Sequence, residues 1–475
     1  MHRARVPGAA LGVRRGDRVL VARGYGYRDV SGRLPVTPET VFGIASMTKS
    51  FTAIAVLRLA EQGRLKLTDP VARHLPEFRT PEPRYTGRIT LHHFLTHSSG
   101  LPPLPSIYYT SGRSLARDPP YDPKVARRVG IDPDHPPIDT YEGILEYLAE
   151  TRYRLLGPPG AFFSYSNEGF GLLGAVIERA SGRTYESFVE EEILRPAAMS
   201  RSTFDTGIMR RAPEVTKLYS PNWSHPHRPK VESDEWWEDT CLRAAGALRT
   251  TVSDLLRYLE LYLRDGRVGR ERILSPASVR SMMQPHVLVQ PGTYYGYGLF
   301  VRPDYHGRPI AYHSGGLKGV SSEFAVAPKE RLAAVVLTNS DDAPSGRILE
   351  GAVNDRLGLP RRLPFMDVPP RTPPPPSLAE YDGWYCSGEG IWCRIRARRD
   401  HLRADFVGIE LTAKGLKLWP AGRDGFVVHR RGSAGLVRFE RDRQGRLWAV
   451  HLGVRVVRRR HPGELSRART GRIVW

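Results

Sequence analysis

In the stretch VFGIASMTKSFTAIAVLRLAEQG, Val41 to Gly63, a serine and a lysine stand three residues apart, Ser46 and Lys49. On a helix that spacing puts both side chains on one face, with Cβ atoms about 5–6 Å apart, so hydroxyl and amine can meet. Lysine is a marked choice here, because only nine of the 71 Lys and Arg residues are Lys. A guanidinium keeps its proton at any physiological pH, whereas a desolvated amine can lose it and act as a base. Two further groups follow along the chain. One is Tyr165, Ser166 and Asn167 in FFSYSNEGFGLLG; the other is His313, Ser314, Gly315 and Gly316 in YHSGGLKG. Each alone is ordinary loop or turn composition, and their occurrence together, in this order, is what gives them weight.

Such groups need elements to hold them. Phe51, Ile54, Ala55, Leu57 and Leu59 make the run after Ser46 apolar almost all round, which predicts a helix buried between two layers and ended by Gly63. Before it, PGAALGVRRGDRVLVARGYGYRD reads as a hairpin about Arg15-Gly16-Asp17. Pro102 to Pro137, crowded with proline and charge, predicts a long irregular surface insertion. Helices are expected at TYEGILEYLAE, at FGLLGAVIERASG from about Phe170 to a stop at Gly182, and at TVSDLLRYLELYLRDG from Thr251 or Ser253 to Gly266. YYGYGLFVRP and EFAVAPKERLAAVVLTNS alternate like antiparallel strands, so the two ends of this region share one sheet with helices inserted between, an α+β pattern. The proline-rich FMDVPPRTPPPPSL then reads as a stiff linker. Beyond it, short evenly spaced strand-like runs from IWCRIRA to RLWAVHLGVRVV predict a small antiparallel barrel or sandwich.

Composition narrows the possibilities. A chain of 475 residues is too long for one ordinary core. No run of about eighteen apolar residues suggests a membrane span. Cys241, Cys386 and Cys393 are an odd number without metal-ligand spacing, which disfavours a disulfide framework and suits a reducing compartment. The net charge of +21 invites a nucleic-acid reading. The arginines are scattered among acids, however, and no helix-turn-helix, zinc-finger or RNA-recognition signature accompanies them.

A Ser-Lys pair, a Tyr-x-Asn and a basic-hydroxyl-Gly triplet in this order form the three-part layout of penicillin-recognising enzymes. The chain resembles the β-lactamase-related serine hydrolases: class C β-lactamases, DD-peptidases, and the esterases and D-aminopeptidases similar to them. The resemblance extends over about residues 6 to 360, through GYGYRDVSGRLPVTPETVFGIASMTKSFTA, ITLHHFLTHSSGLP, GPPGAFFSYSNEGFGLLGAVIERASG and AAGALRTTVSDLLRYLELYL. The segment with YDGWYCS is similar to the lipocalin-like domain that some members carry. What the resemblance implies is an antiparallel sheet with flanking helices and an all-helical lobe over residues 1–364. A linker at 365–377 and a lipocalin-like β-barrel over 378–475 complete it.

The resemblance also implies roles. Ser46 would be the nucleophile that forms an acyl-enzyme on a peptide or ester, and Lys49 with Tyr165 would activate it, the choice of base being left to the pair. Asn167 would hold the Lys49 amine and a substrate amide. The N–H groups of Ser46 and Gly316 would form the oxyanion hole, with Ser314 and Gly315 along the substrate. His313 stands where lactamases and DD-peptidases usually have a carboxylate-binding lysine, and a histidine is only fractionally charged at pH 7. That ranks ester or peptide cleavage, including D-amino-acid substrates, above β-lactamase or DD-carboxypeptidase activity, with His313 polarising or orienting the site. A non-catalytic ligand- or nucleic-acid-binding protein is the distant alternative.

Two other features complete the reading. Ala197-Ala198 replaces a usual Leu-Gly, read as packing drift, and the family's N-terminal helix and any export signal are missing as written. The expectation is therefore cytoplasmic, or exported if the true start lies upstream. His92, His93 and His97 are read as a helix-end cluster, and His225 and His227, near Trp223, Trp236 and Trp237, as pocket-lining. No metal and no organic cofactor is expected. The partners expected are a small-molecule or peptide substrate, no nucleic acid, and a homo-oligomer formed through the C-terminal part.

Overall fold

The computed structural model describes the chain except residues 1–4, 118–121, 213, 222–228, 409–412, 431–432, 462–463 and 465–475. His225, His227 and Trp223 lie outside the described residues. A nine-stranded antiparallel sheet is built from β1 (Gly8–Arg15), β2 (Arg18–Asp29), β3 (Leu34–Pro35), β4 (Val287–Gln290), β5 (Thr293–Tyr295), β6 (Phe300–Arg302), β7 (Ile310–Leu317), β8 (Val320–Ala327) and β9 (Leu332–Thr338). Its order is β4-β5-β6-β7-β8-β9-β1-β2-β3, so the opening hairpin joins the sheet through the pairing of β1 with β9. The hairpin turns at Gly16 and Asp17, with Arg15 opposite Arg18.

Burial on both faces explains why β9 reads as a continuous apolar run rather than an alternating one. Ala333, Val335 and Leu337 face one core, and Leu332, Ala334 and Val336 the other, as strand geometry requires. The first core contains α1 (Thr48–Glu61) and the helical lobe, with α2 (Leu91–Leu95), α3 (Tyr141–Glu150) and α4 (Asn167–Ser181). On that side α5 (Val252–Tyr258) packs on β1 and β9, while α6 (Ser345–Leu357) covers the other face through Leu349 and Val353. This is the α+β arrangement expected, helical lobe included.

Three local expectations need correction. α4 begins at Asn167 rather than near Phe170, because Ser166 is its N-cap and accepts a hydrogen bond from Gly169 N at 3.1 Å. Gly182 closes it at φ +73°, as read. The run from Thr251 to Gly266 breaks after Tyr258 and resumes only at Glu260–Leu263. The insertion expected to be irregular contains the short helices Ser106–Thr110, Gly112–Ala116 and Pro123–Arg128.

The C-terminal part is a closed eight-stranded antiparallel barrel: β10 (Gly383–Ser387), β11 (Ile391–Ala397), β12 (Leu402–Gly408), β13 (Ala413–Pro420), β14 (Gly425–Arg430), β15 (Ser433–Arg441), β16 (Leu447–Leu452) and β17 (Arg455–Arg460). The interior is filled by side chains including Tyr381, Tyr385, Ile395, Phe426, Phe439 and Val450. The run RLWAVHLGVRVV, read as one strand, is two strands joined at Gly453, whose φ is +59°. Its apolar residues do not all fill the barrel: Ala449 and Val456 face outward and pack on Leu156.

The barrel is seated on the sheet-and-helix body. Trp392 Nε1 donates to Val129 O at 2.8 Å, Gly388 N to Pro103 O at 3.1 Å, and Arg458 Nη2 to Leu155 O at 2.7 Å. All three cysteines are buried and free. Among the described residues no helix is long and apolar enough to cross a membrane.

Candidate active site

Ser46 sits in the single 3-10 turn Ala45–Met47 that leads into α1, and it is the one residue from Val41 to Ser50 that is not buried. The backbone is strained immediately before it, with Ala45 at φ +45°, which for a non-glycine residue must be held in place by its surroundings. One restraint is visible. β7 presses so closely on this turn that a Cβ on Gly315 would lie 2.0 Å from Ile44 O, while Ser322 Oγ donates to the same carbonyl at 2.9 Å. Gly315 is therefore demanded by the packing of strand against turn. Gly316, next to it, is exposed and open, and it lies beyond Tyr312, where the pairing of β7 with β6 stops. Ser314 is exposed as well.

Lys49 is fully buried at the start of α1. Its Nζ lies 3.1 Å from Ser46 Oγ, 2.9 Å from Asn167 Oδ1 and 2.7 Å from Ala245 O. It makes no ion pair with a carboxylate among the described residues. Burial and then the Arg455 charge hold the amine well below the usual lysine range, against the opposing pull of Glu168 and Glu389. A neutral amine has two N–H bonds and one lone pair. Asn167 Oδ1 and the Ala245 carbonyl can take the two N–H bonds, which leaves the lone pair to accept the Ser46 hydroxyl proton.

Tyr165 precedes α4 and places its ring 4.7 Å from Lys49 Nζ. Its Oη is buried and makes no hydrogen bond of good geometry among the described residues, with the Ser46 hydroxyl nearby. Burial pushes the phenol above its ordinary range, although the Ser46 hydroxyl and Arg455 pull the other way. Burial thus favours the uncharged form of both the amine and the phenol. The ring stacks on His97, with centroids 4.0 Å apart.

His313 is buried, and both ring nitrogens are engaged. Nδ1 lies 2.6 Å from Ser314 O and Nε2 2.9 Å from Tyr295 Oη. A carbonyl can only accept, so the tautomer carries its proton on Nδ1, and Nε2 accepts from the tyrosine. Burial, with the Lys49 charge, drives His313 down to about 3, so it is uncharged at neutral pH.

All the residues singled out in the sequence, Ser46, Lys49, Tyr165, Asn167, His313, Ser314, Gly315 and Gly316, thus border the Ser46 turn or the strand beside it. Several that matter here were not singled out as functional. Glu168 is fully buried, with Ser106 Oγ and Ser166 Oγ donating to its carboxylate at 2.5 and 2.7 Å. His97, read as a helix-end residue, has φ +54°, and its Nδ1 accepts a hydrogen bond from Ser166 N at 3.0 Å, neither of which shows in the sequence. His93 Nδ1 does belong to the helix-end capping box with Thr90, and His92 Nδ1 bonds Tyr297 Oη. Among the described residues no group of three or more His, Cys, Asp or Glu could hold a metal ion.

The barrel reaches this site through its last hairpin. Val454 O accepts from Tyr165 N at 3.0 Å, and the Arg455 guanidinium lies 4.6 Å from the Tyr165 ring centroid. Glu389, on the turn between β10 and β11, grips Arg455 with two hydrogen bonds of 2.7 and 2.9 Å. Beside the Ser46 turn, Gly43, Ala45, Trp236, Trp237, Gly246 and Leu317 line a small recess.

Comparison with known proteins finds relatives for the chain as a whole. The family profile described as "Beta-lactamase" matches residues 1–357. "Protein flp" of Staphylococcus aureus (strain MW2) is 26% identical over 359 residues, covering 74% of this chain and 63% of that protein, so the chain spans less than two thirds of that relative's length. The octameric penicillin-binding protein homologue from Pyrococcus abyssi superimposes with a TM-score of 0.65 at 27% identity, covering 96% of this chain and 97% of that one. A D-stereospecific amidohydrolase from a Streptomyces species gives 0.55 at 26% identity, over 71% of this chain and 91% of that one.

Proposed function

The chain belongs to the beta-lactamase family, and from that premise we propose that it cleaves peptide or ester bonds through an acyl-enzyme on Ser46. The observation that carries the reading is a buried Lys49 amine without a carboxylate partner among the described residues, 3.1 Å from Ser46 Oγ. The amine takes the hydroxyl proton as Oγ attacks the acyl carbonyl. The N–H groups of Ser46 and Gly316 hold the oxyanion, and preorganised donors of this kind contribute on the order of 3 kcal/mol each. Tyr165 relays the proton to the departing amine or alcohol as its bond to the acyl carbon breaks. Water then attacks the ester on Ser46 and frees the acid. Asn167 keeps the Lys49 amine in register, and Ser314 and Gly315 flank the substrate along β7.

Substrate class follows from His313. A neutral imidazole tied to Tyr295 and Ser314 offers no cation for the carboxylate of a β-lactam or a terminal D-alanine, so His313 orients the strand. Short-chain esters and D-aminoacyl peptides are therefore favoured over cephalosporins, and the likeness to a D-stereospecific amidohydrolase supports the same ranking. In this reading residues 1–364 are the hydrolase unit, 365–377 a linker and 378–475 the lipocalin-like unit. A homo-oligomer is supported by the octameric relative. The test is fluorophosphonate labelling of the full chain and of Ser46→Ala, beside a panel of esters, D- and L-aminoacyl peptides and a chromogenic cephalosporin. Labelling is expected at Ser46 and absent in the variant, with ester or D-aminoacyl turnover above cephalosporin turnover. Undiminished labelling of Ser46→Ala, or a cephalosporin turned over orders of magnitude faster than any ester, overturns it.

A further inference from the structure

Only two charged side chains of the barrel reach the catalytic cluster among the described contacts, and they come as a pair. Arg455 opens β17 immediately after the Gly453 turn, and Glu389 sits on the turn between β10 and β11. Their side chains are only 14% and 11% exposed. Glu389 is itself held by the body, since its carbonyl accepts from Tyr108 Oη at 3.2 Å and its neighbour Gly388 is locked to Pro103 O. Arg455 is thus fixed by a fork-on-carboxylate contact, the geometry in which a guanidinium is least free to swing. One prong, Nη1, has no hydrogen-bond partner among the described residues, although it is buried. The guanidinium carbon lies 4.6 Å from the Tyr165 ring centroid.

An arginine held in this way is costly in stability alone, because a buried guanidinium with an unbonded prong forgoes hydration it does not recover. Its position suggests what it does instead. Lys49 Nζ lies 4.7 Å from the same ring, so one aromatic ring has a basic side chain from α1 and one from the barrel against it. The charged and titratable groups around Lys49 are Arg455 and Glu389 from the barrel, Glu168 from α4, His97 from the segment after α2, His313 from β7 and Tyr165 itself. His97 and His313 are both held neutral by burial. Arg455 is therefore the fixed positive charge in this set, and Glu389 and Glu168 oppose it.

We propose that Arg455, anchored by Glu389, is a positioning residue of the catalytic cluster, so that acylation of Ser46 depends on a charge contributed by the barrel. The proposal rests on the serine-hydrolase reading above and deepens it. A fixed cation disfavours the ammonium form of Lys49 and favours the ionised form of Tyr165, which are the two states that proton removal from Ser46 and relay to the leaving group require. Glu389 has the opposite electrostatic sign and a separate mechanical duty, holding the guanidinium over the ring.

The sign difference makes a test. The rate of fluorophosphonate labelling is followed from pH 5 to 10 on the full chain, for wild type, Arg455→Met, Arg455→Lys and Glu389→Gln, with the labelled residue identified by mass spectrometry. Removing the cation raises the Lys49 pKa, so Arg455→Met is expected to move the acidic limb to higher pH by about one unit or more. Arg455→Lys, which keeps the charge, is expected to restore most of the wild-type position. Glu389→Gln is expected to move the limb to lower pH, which loss of packing would not do, and this remains readable if Arg455→Met fails to fold. An Arg455→Met profile that differs from wild type only in height overturns the proposal. So does an Arg455→Lys profile that follows the Met variant, or a Glu389→Gln limb that stays in place or moves upward. Failure of wild type to label at Ser46 refutes the hydrolase reading instead, which separates the two.

Discussion

Adding one methyl group at Gly315 tests whether the contact between the Ser46 turn and β7 governs both stability and chemistry. A Cβ there would lie 2.0 Å from Ile44 O and 2.5 Å from Ser322 Oγ. Carbon and oxygen atoms in ordinary contact stand well beyond 3 Å apart, so strand and turn must separate by about 1 Å or more. Overpacking of this kind costs about 1–3 kcal/mol. Losing the bond from Ser322 Oγ to Ile44 O adds about 1 kcal/mol, although that carbonyl still accepts from Met47 N. Gly315→Ala is thus expected to lose about 2–4 kcal/mol. Because the turn bears Ser46, the nucleophile proposed above, and a displacement of about 1 Å can cost on the order of 10²-fold in rate, labelling of Ser46 is expected to slow by a similar factor. The neighbouring Gly316→Ala is the control, because nothing lies within 4 Å of its added Cβ, and its stability is expected to stay within about 0.5 kcal/mol of wild type. Denaturant midpoints and labelling rates on the three proteins decide the matter. A Gly315→Ala protein as stable and as reactive as wild type refutes the reasoning, as does a Gly316→Ala protein destabilised to the same degree.

Two further expectations follow from the buried bases. Lys49→Arg should be nearly as damaging as Lys49→Ala, each slowing labelling by on the order of 10²–10⁴-fold, because a guanidinium keeps a charge but cannot take up a proton; an Arg variant with a large share of the activity would make Lys49 an electrostatic support. His92, His97 and His313 are all held below 6.5 by burial first, His92 at about 4 and His313 at about 3. Below pH 6.5 the unfolded chain takes up protons that these rings in the folded protein do not, so stability present above that pH falls as the solution is acidified. The slope is up to about 1.4 kcal/mol per pH unit for each histidine. Urea midpoints at pH 7.5, 6 and 5 should decline, and less steeply in His313→Gln; a midpoint that rises on acidification, or an unchanged slope in the variant, contradicts the assignment.

The closeness of Ser46 and Lys49 was legible because their relation is local: three residues across the entry to one helix, and a lysine in a chain that otherwise prefers arginine. The sheet was legible for a similar reason, since residues such as Val335 and Val336 point to opposite faces that are both covered. What stayed hidden depends on tertiary docking. Arg455 stands in VRVVRRR among arginines of identical local appearance, and only the placement of the last hairpin against Tyr165 distinguishes it. His97 could be read as the end of a helix from HHFLTHSSG, but its stacking on Tyr165 depends on a loop far along the chain. The early start of α4 is hidden for another reason: Ser166 in SYSN suits a chemical motif and an N-cap equally, and its bond from Gly169 N decides for the cap only once the chain is folded.

The pairing of β1 with β9 brings together strands that lie at opposite ends of the sheet-and-helix body, Gly8–Arg15 beside Leu332–Thr338. A ribosome adding about 5–20 residues per second needs roughly 15–60 s to travel from one to the other. Throughout that interval the hairpin of β1 and β2 is complete on one side, while the other edge of β1, with its row of main-chain donors and acceptors, has no native strand to meet. The helical lobe, rich in local contacts, can form meanwhile. The central seam of the sheet is therefore closed late, by a strand that must find an edge already in waiting, and during synthesis that edge is where a neighbouring nascent chain would most readily add itself.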